Sequence, residues 1–483
     1  MFKPNITIPE SSEKKLVPTS EQEKIIQAAK NGKNIAIKAM AGAAKTSTCI
    51  MIANEVVKPS LYLAFNKSIA DEAGGKFPSH VTCQTINSLA WRKIVRSGKS
   101  RFGKKLQGFF DFDDISIPLF GGYAEEEIKT KIEICKIVTE FCQSSAFSFA
   151  EFLETYPDDY IQQHSVLFPF AEQFWKDVSS ETSPAKMTHD VYLKLFQLSR
   201  PVLIDFDLIY VDEFQDSNPV TIDLVLRQTH AQIIVVGDPF QSIYEFRGAI
   251  NGFEEIQKYR RKFEEMFLTE SFRFTQEIAD FAFAITRISG NDRKIIGKAE
   301  KQECKNQAIL VRNNATMLSY LLQAIRDGKK VKVLADLKDL WSKMYHISDL
   351  SRGQKPKFPN KELSVYKSFR LLEEAGEFLP EIKKLISLHY TLSAGGLHKN
   401  IQSIKEIIVE DGDYDFVIST IWKAKGLEWD EITLAEDTCF LKEDDTLEEF
   451  MSRDQNANSL YVAITRAKYR VNFPTILYEI FSY

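Results

Sequence analysis

The sequence predicts an α/β protein with two domains, each built on a parallel sheet flanked by helices and each carrying an inserted, mainly helical segment. Two series of short apolar runs that end on polar residues support this fold, because buried parallel strands have this pattern. A long segment without strand-like runs interrupts each series. The 483 residues are enough for two to four domains.

The first series begins behind a predicted helix at residues 19–31, which Thr19 or Ser20 caps. A strand at 34–39, a helix from about Lys45 to Val57 and a strand at 61–65 follow, and Pro59 ends the helix. This succession has the length of a βαβ unit. Two further strands are predicted at 208–211 and 233–236, with a helical insertion between about 92 and 186.

The second series contains predicted strands at 308–311, 331–334, 416–420 and 431–435. A polar, basic stretch at 351–359 and helical segments up to about 408 interrupt it. We expect a first domain of residues 1–92 with 187–270 and a second of 271–341 with 409–483. The insertions are then residues 93–186 and a reduced accessory segment, 342–408.

Composition and charge limit the function. The formal net charge of −5 means that any DNA path is a local basic groove and not a field of the whole protein. The six cysteines show no CxxC spacing, which argues against a disulfide framework or a zinc site. No apolar run reaches the roughly 20 residues that span a bilayer, and no signal-peptide pattern is present. We expect a soluble intracellular protein without a membrane partner.

A loop of small residues lies between the first predicted strand and helix, at Ala39-Met40-Ala41-Gly42-Ala43-Ala44-Lys45-Thr46. In a phosphate-binding loop, backbone N–H groups surround the phosphates, a lysine reaches the β and γ oxygens, and Ser or Thr holds Mg²⁺. Lys45 and Thr46 fit these roles, but Ala39 and Ala44 stand where the consensus has glycine. Taken alone the match is weak, since a small-residue turn before any helix would look similar.

A second motif strengthens this interpretation. Asp212 and Glu213 follow directly on the apolar run at 208–211. One carboxylate at a strand end can bind Mg²⁺, and its neighbour can orient or deprotonate the attacking water. A solvated acidic turn is the alternative, but it explains poorly the ordered string from Asp212 to Asp216 downstream of a Lys-Thr loop. The two motifs together predict binding of ATP and Mg²⁺.

With these motifs the sequence resembles the UvrD/Rep group of superfamily 1 DNA helicases over most of the chain. Within the group it is most similar to the F-box DNA helicase branch, without an F-box, and the compact length fits a phage or bacterial source. Residues 61–68 and 188–195 carry the likeness to this branch. The further group motifs appear in chain order at Gln22, 64–67, 85–90, 236–249, 268–273, 419–430 and 460–468.

The resemblance implies two RecA-like P-loop NTPase domains with ATP in the cleft between them. It implies that Glu213 positions the water, that Gln241 senses the γ-phosphate, and that Arg273 and Arg466 reach the phosphates from the second domain. Thr46 and Asp212 are the expected Mg²⁺ ligands. The expected nucleotide contacts are Gln22 and Phe272 at the adenine, Glu428 at the ribose, and Ala41, Gly42, Ala43, Ala44, Lys45, Thr46 and Ser47 around the phosphates.

Single-stranded DNA is expected to cross both domains, with tailed or forked duplexes as further substrates. Aromatic rings that stack on bases and cations that contact phosphates read no sequence, so little specificity is expected. For Phe65 and Trp422, core packing is an equally good explanation. Replication or recombination proteins are the expected protein partners of a monomer. The candidate DNA contacts are Phe65, Asn66, Lys67, Thr85, Asn87, Tyr244, Phe246, Arg247 and Trp422.

The leading functional prediction is an ATP-dependent single-stranded DNA translocase and DNA helicase, 3′ to 5′ by resemblance. The alternative is a nucleotide-gated DNA-binding or protein-displacing factor with little unwinding. Ala44 supports the alternative, because its methyl group costs about 1 kcal/mol or more if the loop needs a positive φ. A metabolic kinase with a phosphate loop does not explain the motifs around Gln241, Arg273 and Arg466.

Overall fold

The computed structural model describes residues 17–96, 101–116, 124–243, 250–335, 337–360, 362–410, 412–439, 447–453, 456–475 and 477. Within them, two parallel sheets flanked by helices form the framework, so the predicted mixed α/β fold with parallel sheets is confirmed. None of the described helices combines the length and the apolar character needed to cross a bilayer.

The first sheet consists of β1 (Ile35–Ala39), β2 (Ser60–Leu63), β3 (Val81–Gln84), β4 (Leu208–Val211), β5 (Gln232–Gly237) and β6 (Glu264–Leu268). All neighbouring strands are parallel, in the order β3-β2-β4-β5-β1-β6. Strands β2, β4 and β5 are buried along their whole length, as expected for a sheet covered on both faces. The segments that follow the strands therefore meet at one edge of the sheet.

Helices surround this sheet, and a group of them forms the insertion between β3 and β4. No strand occurs among the described residues of that insertion, in agreement with the predicted helical segment. The helices of this half are α1 (Ser20–Lys30), α2 (Lys45–Glu55), α3 (Lys67–Gly74), α4 (Ile86–Ile94), α5 (Ala124–Gln143), α6 (Phe149–Leu153), α7 (Asp158–His164), α8 (Phe168–Ser179), α9 (His189–Leu198), α10 (Pro219–Leu226) and α11 (Gly252–Glu255).

Side-chain caps fix where the helices near the strand ends begin. Thr19 and Gln22 form a reciprocal capping box at α1, which confirms the predicted helix start. Asn66 accepts a hydrogen bond from the Ile69 N–H at 2.9 Å and caps α3, and Thr85 accepts one from the Ser88 N–H at 3.0 Å and caps α4. The strand predicted at 61–65 accordingly ends at Leu63.

The second sheet consists of β9 (Gln307–Val311), β10 (Val331–Leu334), β11 (Phe416–Thr420), β12 (Trp429–Leu434) and β13 (Ala467–Asn472), and a small parallel pair, β7 (Glu270–Ser271) with β8 (Ile296–Gly297), precedes it. Its strands are parallel in the order β10-β11-β9-β12-β13. The predicted strands at 331–334 and 416–420 are confirmed without change. Strand β12 begins earlier than the predicted residue 431, because Trp429 already pairs with Ala467.

Helices also cover the second sheet. Those between β10 and β11 fill the segment predicted as the accessory insertion, and the first of them begins before it. The helices of this half are α12 (Gln276–Ile288), α13 (Asn314–Arg326), α14 (Leu337–Ser351), α15 (Phe369–Phe378), α16 (Pro380–Ser393), α17 (Leu397–Ile407), α18 (Ile421–Ala424), α19 (Leu447–Ser452) and α20 (Asn456–Ile464).

One hydrophobic core joins helices α14 to α17 to the second sheet. Phe416 and Ile418 of β11 contribute to it from the sheet, and Met344, Ile401 and Ile404 contribute from the helices. All five side chains are buried. Helix α15 also contacts α5, so the two inserted segments touch each other.

Candidate functional site

A cavity of about 500 Å³ opens where the carboxyl edge of the first sheet faces the second sheet. Both halves contribute to its wall, because the loop from α18 to β12 and the residue before β13 lie opposite the loops that follow β1, β2, β4 and β5. The lining residues are Gly42, Ala43, Ala44, Lys45, Thr46, Ser47, Phe65, Asn66, Ile69, Glu213, Asp216, Gln241, Phe272, Arg273, Lys425, Gly426, Glu428 and Arg466.

The loop between β1 and α2 has the left-handed backbone that a phosphate-binding turn requires. Gly42 has a φ of +74°, and an added Cβ there would lie 2.5 Å from Ser271 Oγ and 2.6 Å from Arg273 Cβ. Ala44 precedes α2 with a φ of 55°, so the methyl group occupies a position that favours glycine. The loop thus keeps its shape with strain at Ala44.

Lys45 and Glu213 form an ion pair at the centre of the cavity wall, with Nζ 2.8 Å from Oε1. Burial alone would raise the pKa of Glu213, but the charges of Lys45 and then Lys425 outweigh it and hold the pKa well below its ordinary value. Burial works against the charged form of Lys45, but Glu213 and its acidic neighbours raise the pKa of Lys45 overall. Both groups are therefore charged at neutral pH.

Asp212, Tyr62 and Thr46 form a chain of polar groups beneath the loop. The buried Tyr62 hydroxyl donates to Asp212 Oδ2 and interacts with the Thr46 side chain. Burial, strengthened by the Asp212 charge, raises the pKa of Tyr62, so its hydroxyl stays protonated. Asp212 and Thr46 thus both interact with one buried hydroxyl.

This donor set fits Mg²⁺ held together with phosphates. Mg²⁺ usually takes one or two carboxylates and completes its shell with water and phosphate oxygens. No group of three or more His, Cys, Asp or Glu side chains suited to a metal occurs within the described parts of the chain. A Mg²⁺ ion bound by Asp212 and Thr46 would need water and phosphate oxygens for the rest of its shell.

Arginines from the second half approach the same cavity. Arg466 is buried, and its Nη2 donates to Gln241 Oε1 at 3.2 Å. Burial lowers the pKa of Arg466 to about 9, with a further contribution from the charge of Arg273, so its guanidinium is cationic at neutral pH. Arg273 pairs through Nε with Glu428 Oε2 at 2.9 Å and donates to the Thr465 carbonyl at 3.1 Å.

Lys425 crosses the cavity from the second half to the first. Its Nζ forms an ion pair with Asp216 and donates to the Gln241 carbonyl oxygen at 2.7 Å. Burial raises the pKa of Asp216 to about 6, and Lys425 lowers it only in part. The other oxygen of Asp216, Oδ1, is buried without a hydrogen-bond partner among the described residues. Removing one partner of such a buried ion pair is costly, because it leaves an uncompensated buried charge.

The residues expected to contact the adenine and the ribose differ in their burial and in whether they line the cavity. Phe272 lines the cavity and is half exposed, as a ring that stacks on a base would be. Glu428 also lines it but is bound to Arg273 and Lys468. Gln22 does not line the cavity: it is buried, and its Nε2 donates to Thr48 Oγ1 at 2.9 Å. A contact between Gln22 and an adenine would require this amide to change partners.

The candidate DNA contacts divide into three groups. Phe65 and Asn66 line the cavity of about 500 Å³, because the loop after β2 lies beside that after β4. Lys67 and Asn87 are exposed at the starts of α3 and α4, and Asn87 lines a separate cavity of about 450 Å³.

Thr85 is buried and its hydroxyl bonds to that of Ser88. Trp422 is half-buried and packs against the core of the second half. Tyr244, Phe246 and Arg247 lie outside the described residues.

Sequence reasoning assigned no role to Tyr62, Asp216, Lys425 or Tyr461. Asp216, Lys425 and Tyr461 lie inside the motifs at 212–216, 419–430 and 460–468, and Tyr62 lies inside strand β2. A motif string does not indicate which of its side chains turn toward the cleft, so only the fold identifies them. The apolar run around Tyr62 predicted burial of its ring, but not a hydroxyl bonded to Asp212.

Comparison with known proteins identifies the family. The model of the UvrD/REP helicase N-terminal domain matches residues 19–264, just over half of the chain. This range contains the phosphate loop, Asp212, Glu213 and Gln241.

Three relatives illustrate the similarity. The chain is 27% identical to F-box DNA helicase 1 of Gallus gallus, over 93% of this chain and 48% of that protein. It is 26% identical to F-box DNA helicase protein 1 of Schizosaccharomyces pombe, over 94% of this chain and 57% of that protein. It is 31% identical to the ATP-dependent DNA helicase PcrA of Leuconostoc citreum, over 30% of this chain and 20% of that protein.

The chain spans about half the length of the two F-box DNA helicases that it matches. The resemblance to the UvrD/Rep group and to F-box DNA helicases, predicted from the motifs, is confirmed by these matches. The chain belongs to the UvrD/REP helicase family.

Proposed function

We propose that this protein is an ATP-dependent single-stranded DNA translocase and DNA helicase that moves 3′ to 5′. In this proposal the two sheets are the centres of two RecA-like domains, residues 1–92 with 187–270 and residues 271–341 with 409–483. ATP is the substrate, and its hydrolysis in the cavity between the sheets drives their relative movement. The names of the relatives, all DNA helicases, support the reaction and the DNA substrate.

The ion pair between Lys45 and Glu213 supports a switch of partners on ATP binding. With its Nζ on Glu213, Lys45 neutralises the group that is to activate water. A triphosphate in the loop offers Lys45 a stronger anion, because charge-assisted bonds to phosphate are among the strongest polar contacts. Glu213 is then released as a carboxylate and accepts a proton from the attacking water.

The cations of the second half act on the other side of the phosphates. Arg466 precedes β13 of the second sheet, and Arg273 lies between β7 and α12 of the second half. In this proposal both reach the phosphates only when the halves are close. Arginine charge on a transferring phosphoryl group accelerates its transfer by roughly 10³–10⁵-fold. Opening the cleft removes this charge, and the rate of hydrolysis is thereby tied to the movement of the halves.

Asp212 and Thr46 are the residues that would hold Mg²⁺. When bound, Mg²⁺ neutralises charge on the β and γ phosphates during transfer. The Tyr62 hydroxyl and the Glu213 N–H donate to the two oxygens of Asp212 and orient its carboxyl group. Burial and the charge of Glu213 raise the pKa of Asp212, and these two hydrogen bonds oppose the rise.

The single observation that carries the proposal is one cavity in which Lys45, Glu213, Gln241, Arg273 and Arg466 meet. We expect ATP turnover that single-stranded DNA stimulates. Lys45→Ala removes nucleotide binding, whereas Glu213→Gln keeps it and lowers turnover by roughly 10²–10⁴-fold. Absence of stimulated turnover in the wild-type chain would contradict the proposal.

Glu55→Gln is a matched control, because this exposed glutamate on α2 pairs with Lys30 away from the cavity. It leaves turnover unchanged. Polarity is tested on duplexes with a 3′ or a 5′ single-stranded tail, and the proposal requires strand separation only with the 3′ tail.

The strained Ala44 favours a second candidate function, a nucleotide-gated factor that binds DNA or displaces proteins with little unwinding. A left-handed alanine costs about 1–2 kcal/mol, which a tight nucleotide loop must absorb. Stimulated ATP turnover without strand separation on a 3′-tailed duplex supports this alternative. Displacement of a protein bound to the single strand in the same assay separates a motor from a passive binder.

A further inference from the structure

The hydroxyl of Tyr461 joins the two halves of the candidate site. Tyr461 lies on α20 beside the second sheet and is fully buried. Its hydroxyl donates to Asp238 Oδ2 at 2.9 Å and accepts a hydrogen bond from the Ala41 N–H at 3.0 Å. Asp238 follows β5 and Ala41 follows β1. One phenol of the second half thus holds the phosphate loop and a neighbouring loop of the first.

The same helix controls the other end of this network. Asp238 Oδ2 also accepts from Gln241 Nε2 at 2.6 Å, and Gln241 Oε1 accepts from Arg466 Nη2 at 3.2 Å. Tyr461 lies in the last turn of α20, and Arg466 lies two residues after the end of this helix. Residues in and directly after α20 therefore hold both the carboxylate that binds the Gln241 amide and the amide oxygen itself.

Burial makes the Tyr461 hydroxyl important for this arrangement. Asp238 is fully buried, and a buried carboxylate is costly unless donors surround it. Its described side-chain donors are Tyr461 and Gln241, and the Phe240 N–H donates to its other oxygen at 3.1 Å. Among the described residues, loss of the hydroxyl leaves Gln241 as the one side-chain donor to Asp238. The Gln241 amide is then no longer held in one orientation.

We propose that Tyr461 is a positioning residue that orients the Gln241 amide toward Arg466 and so couples movement of the second half to the rate of ATP hydrolysis. The proposal rests on the proposed ATPase function and specifies how its site is regulated. Gln241 lines the cavity and Ala41 does not, so we expect the hydroxyl to act mainly on hydrolysis, through Gln241, and little on nucleotide affinity.

Core packing is the other contribution of this side chain. The ring of Tyr461 meets that of Phe240 edge to face, with centroids 6.2 Å apart, inside a buried cluster. Tyr461→Phe keeps the ring and removes only the hydroxyl. Tyr210→Phe is the matched control, because Tyr210 is fully buried in β4 and its hydroxyl has no partner among the described residues.

The experiment measures three quantities for wild type and both variants: the dissociation constant of a nonhydrolysable ATP analogue, turnover without DNA, and turnover with saturating single-stranded DNA. For Tyr461→Phe we expect DNA-stimulated kcat to fall about tenfold or more, the effect of losing one hydrogen bond to a charged group. Analogue affinity stays within about twofold of wild type. Tyr210→Phe changes none of the three.

A double-mutant cycle separates positioning from general loosening of the cleft. If Tyr461 acts through Gln241, adding Tyr461→Phe to Gln241→Ala lowers stimulated kcat no further. Full additivity of the two changes would overturn the proposal, as would a weakened analogue affinity or an unchanged stimulated kcat in Tyr461→Phe. A wild-type chain without DNA-stimulated turnover overturns the proposed function, and the coupling role with it.

Discussion

Ala44 has a left-handed backbone at the position where the phosphate-loop consensus has glycine. Ala44→Gly removes the clash between Cβ and the following carbonyl, which costs about 1–2 kcal/mol, and adds about 0.4–1 kcal/mol of chain entropy to the unfolded state. We therefore expect the free energy of unfolding to rise by about 0.5–1 kcal/mol. Denaturant unfolding of the nucleotide-free protein measures this change.

Ala43 provides the control in the same loop. It is buried and does not have a positive φ, so Ala43→Gly gains no relief and lowers the free energy of unfolding by about 0.5–1 kcal/mol. The opposite signs of the two substitutions are the prediction. Equal destabilisation by both would show that the backbone at Ala44 is not strained.

Asp216 makes stability depend on pH. Burial raises its pKa from 3.8 to about 6, against the opposing charge of Lys425. Between these values the folded protein binds more protons than the unfolded chain, so the free energy of unfolding falls as pH rises. Asp216→Asn removes this dependence. We expect the stability of the variant relative to wild type to increase by about 2 kcal/mol between pH 4 and pH 7.

Unfolding curves at several pH values, without nucleotide or Mg²⁺, measure this difference. Asp71→Asn is the control, because Asp71 is exposed on α3. A constant difference between Asp216→Asn and wild type across this range would mean that Asp216 titrates normally. The slope with pH is diagnostic, since a packing cost of the Asp216→Asn change adds the same offset at every pH.

Single residues also show what sequence alone could predict. Lys45, Glu213, Gln241, Arg273 and Arg466 were each expected at the nucleotide, and they line one cavity. The expected positions rest on the order of the motifs, which the fold brings together at one sheet edge.

Side-chain partners did not follow from the sequence. The Gln22 amide binds Thr48, and the hydroxyl of Tyr461 binds Asp238. A buried polar group takes whichever partner the packing supplies, and that choice has no local sequence signal.

Among the elements, α4 combines a buried face with a polar face suited to DNA. Leu89 and Ala90 are buried, whereas Asn87 and Arg92 are exposed. Asn87, Arg92 and Arg96 line a cavity of about 450 Å³ beside the strand end of β3. The exposed amide and two cations at the edge of the nucleotide-binding sheet support a path for the DNA backbone along this helix.

Replacing both arginines tests this path. Arg92→Ala with Arg96→Ala weakens binding of single-stranded DNA and lowers the slope of log affinity against log salt by about 1.4, or about 0.7 per phosphate contact. Turnover without DNA stays unchanged. Lys93→Ala is the control, since Lys93 is exposed on α4 but does not line the cavity. An unchanged salt slope in the double variant would exclude α4 from the DNA path.

The positions of the strands along the chain were easier to predict than the order in which the strands pair in the sheet. The bounds of the strands at 208–211, 331–334 and 416–420 are confirmed. The runs at 208–211 and 416–420 are buried along nearly their whole length, whereas 331–334 is a partly buried edge strand. The order β3-β2-β4-β5-β1-β6 depends on pairings between residues far apart in the chain. Local periodicity contains no information on such pairings.

At the scale of the whole molecule, the segment 342–408 shares a hydrophobic core with the second sheet. The segment interrupts the second series of strands and stays predicted as a reduced accessory insertion, while Met344, Ile401 and Ile404 are buried in one core with Ile418 of β11. Polar composition in 351–359 marks an exposed turn and does not show where the core ends. Whether the segment folds together with the second sheet depends on contacts across this core. Local sequence patterns do not show such contacts.

Deleting 342–408 should therefore abolish DNA-stimulated turnover and not only unwinding. Burial of each large aliphatic side chain is worth about 1.5–3 kcal/mol, so several losses exceed a typical stability of about 5–15 kcal/mol. The second half then fails to supply Arg273 and Arg466. Two substitutions test the shared core without a deletion. Ile404→Ala lowers the free energy of unfolding by about 2–5 kcal/mol, whereas Lys405→Ala, on the exposed face of α17, leaves it unchanged. A stable deletion variant with normal stimulated turnover would show that 342–408 folds independently of the second sheet.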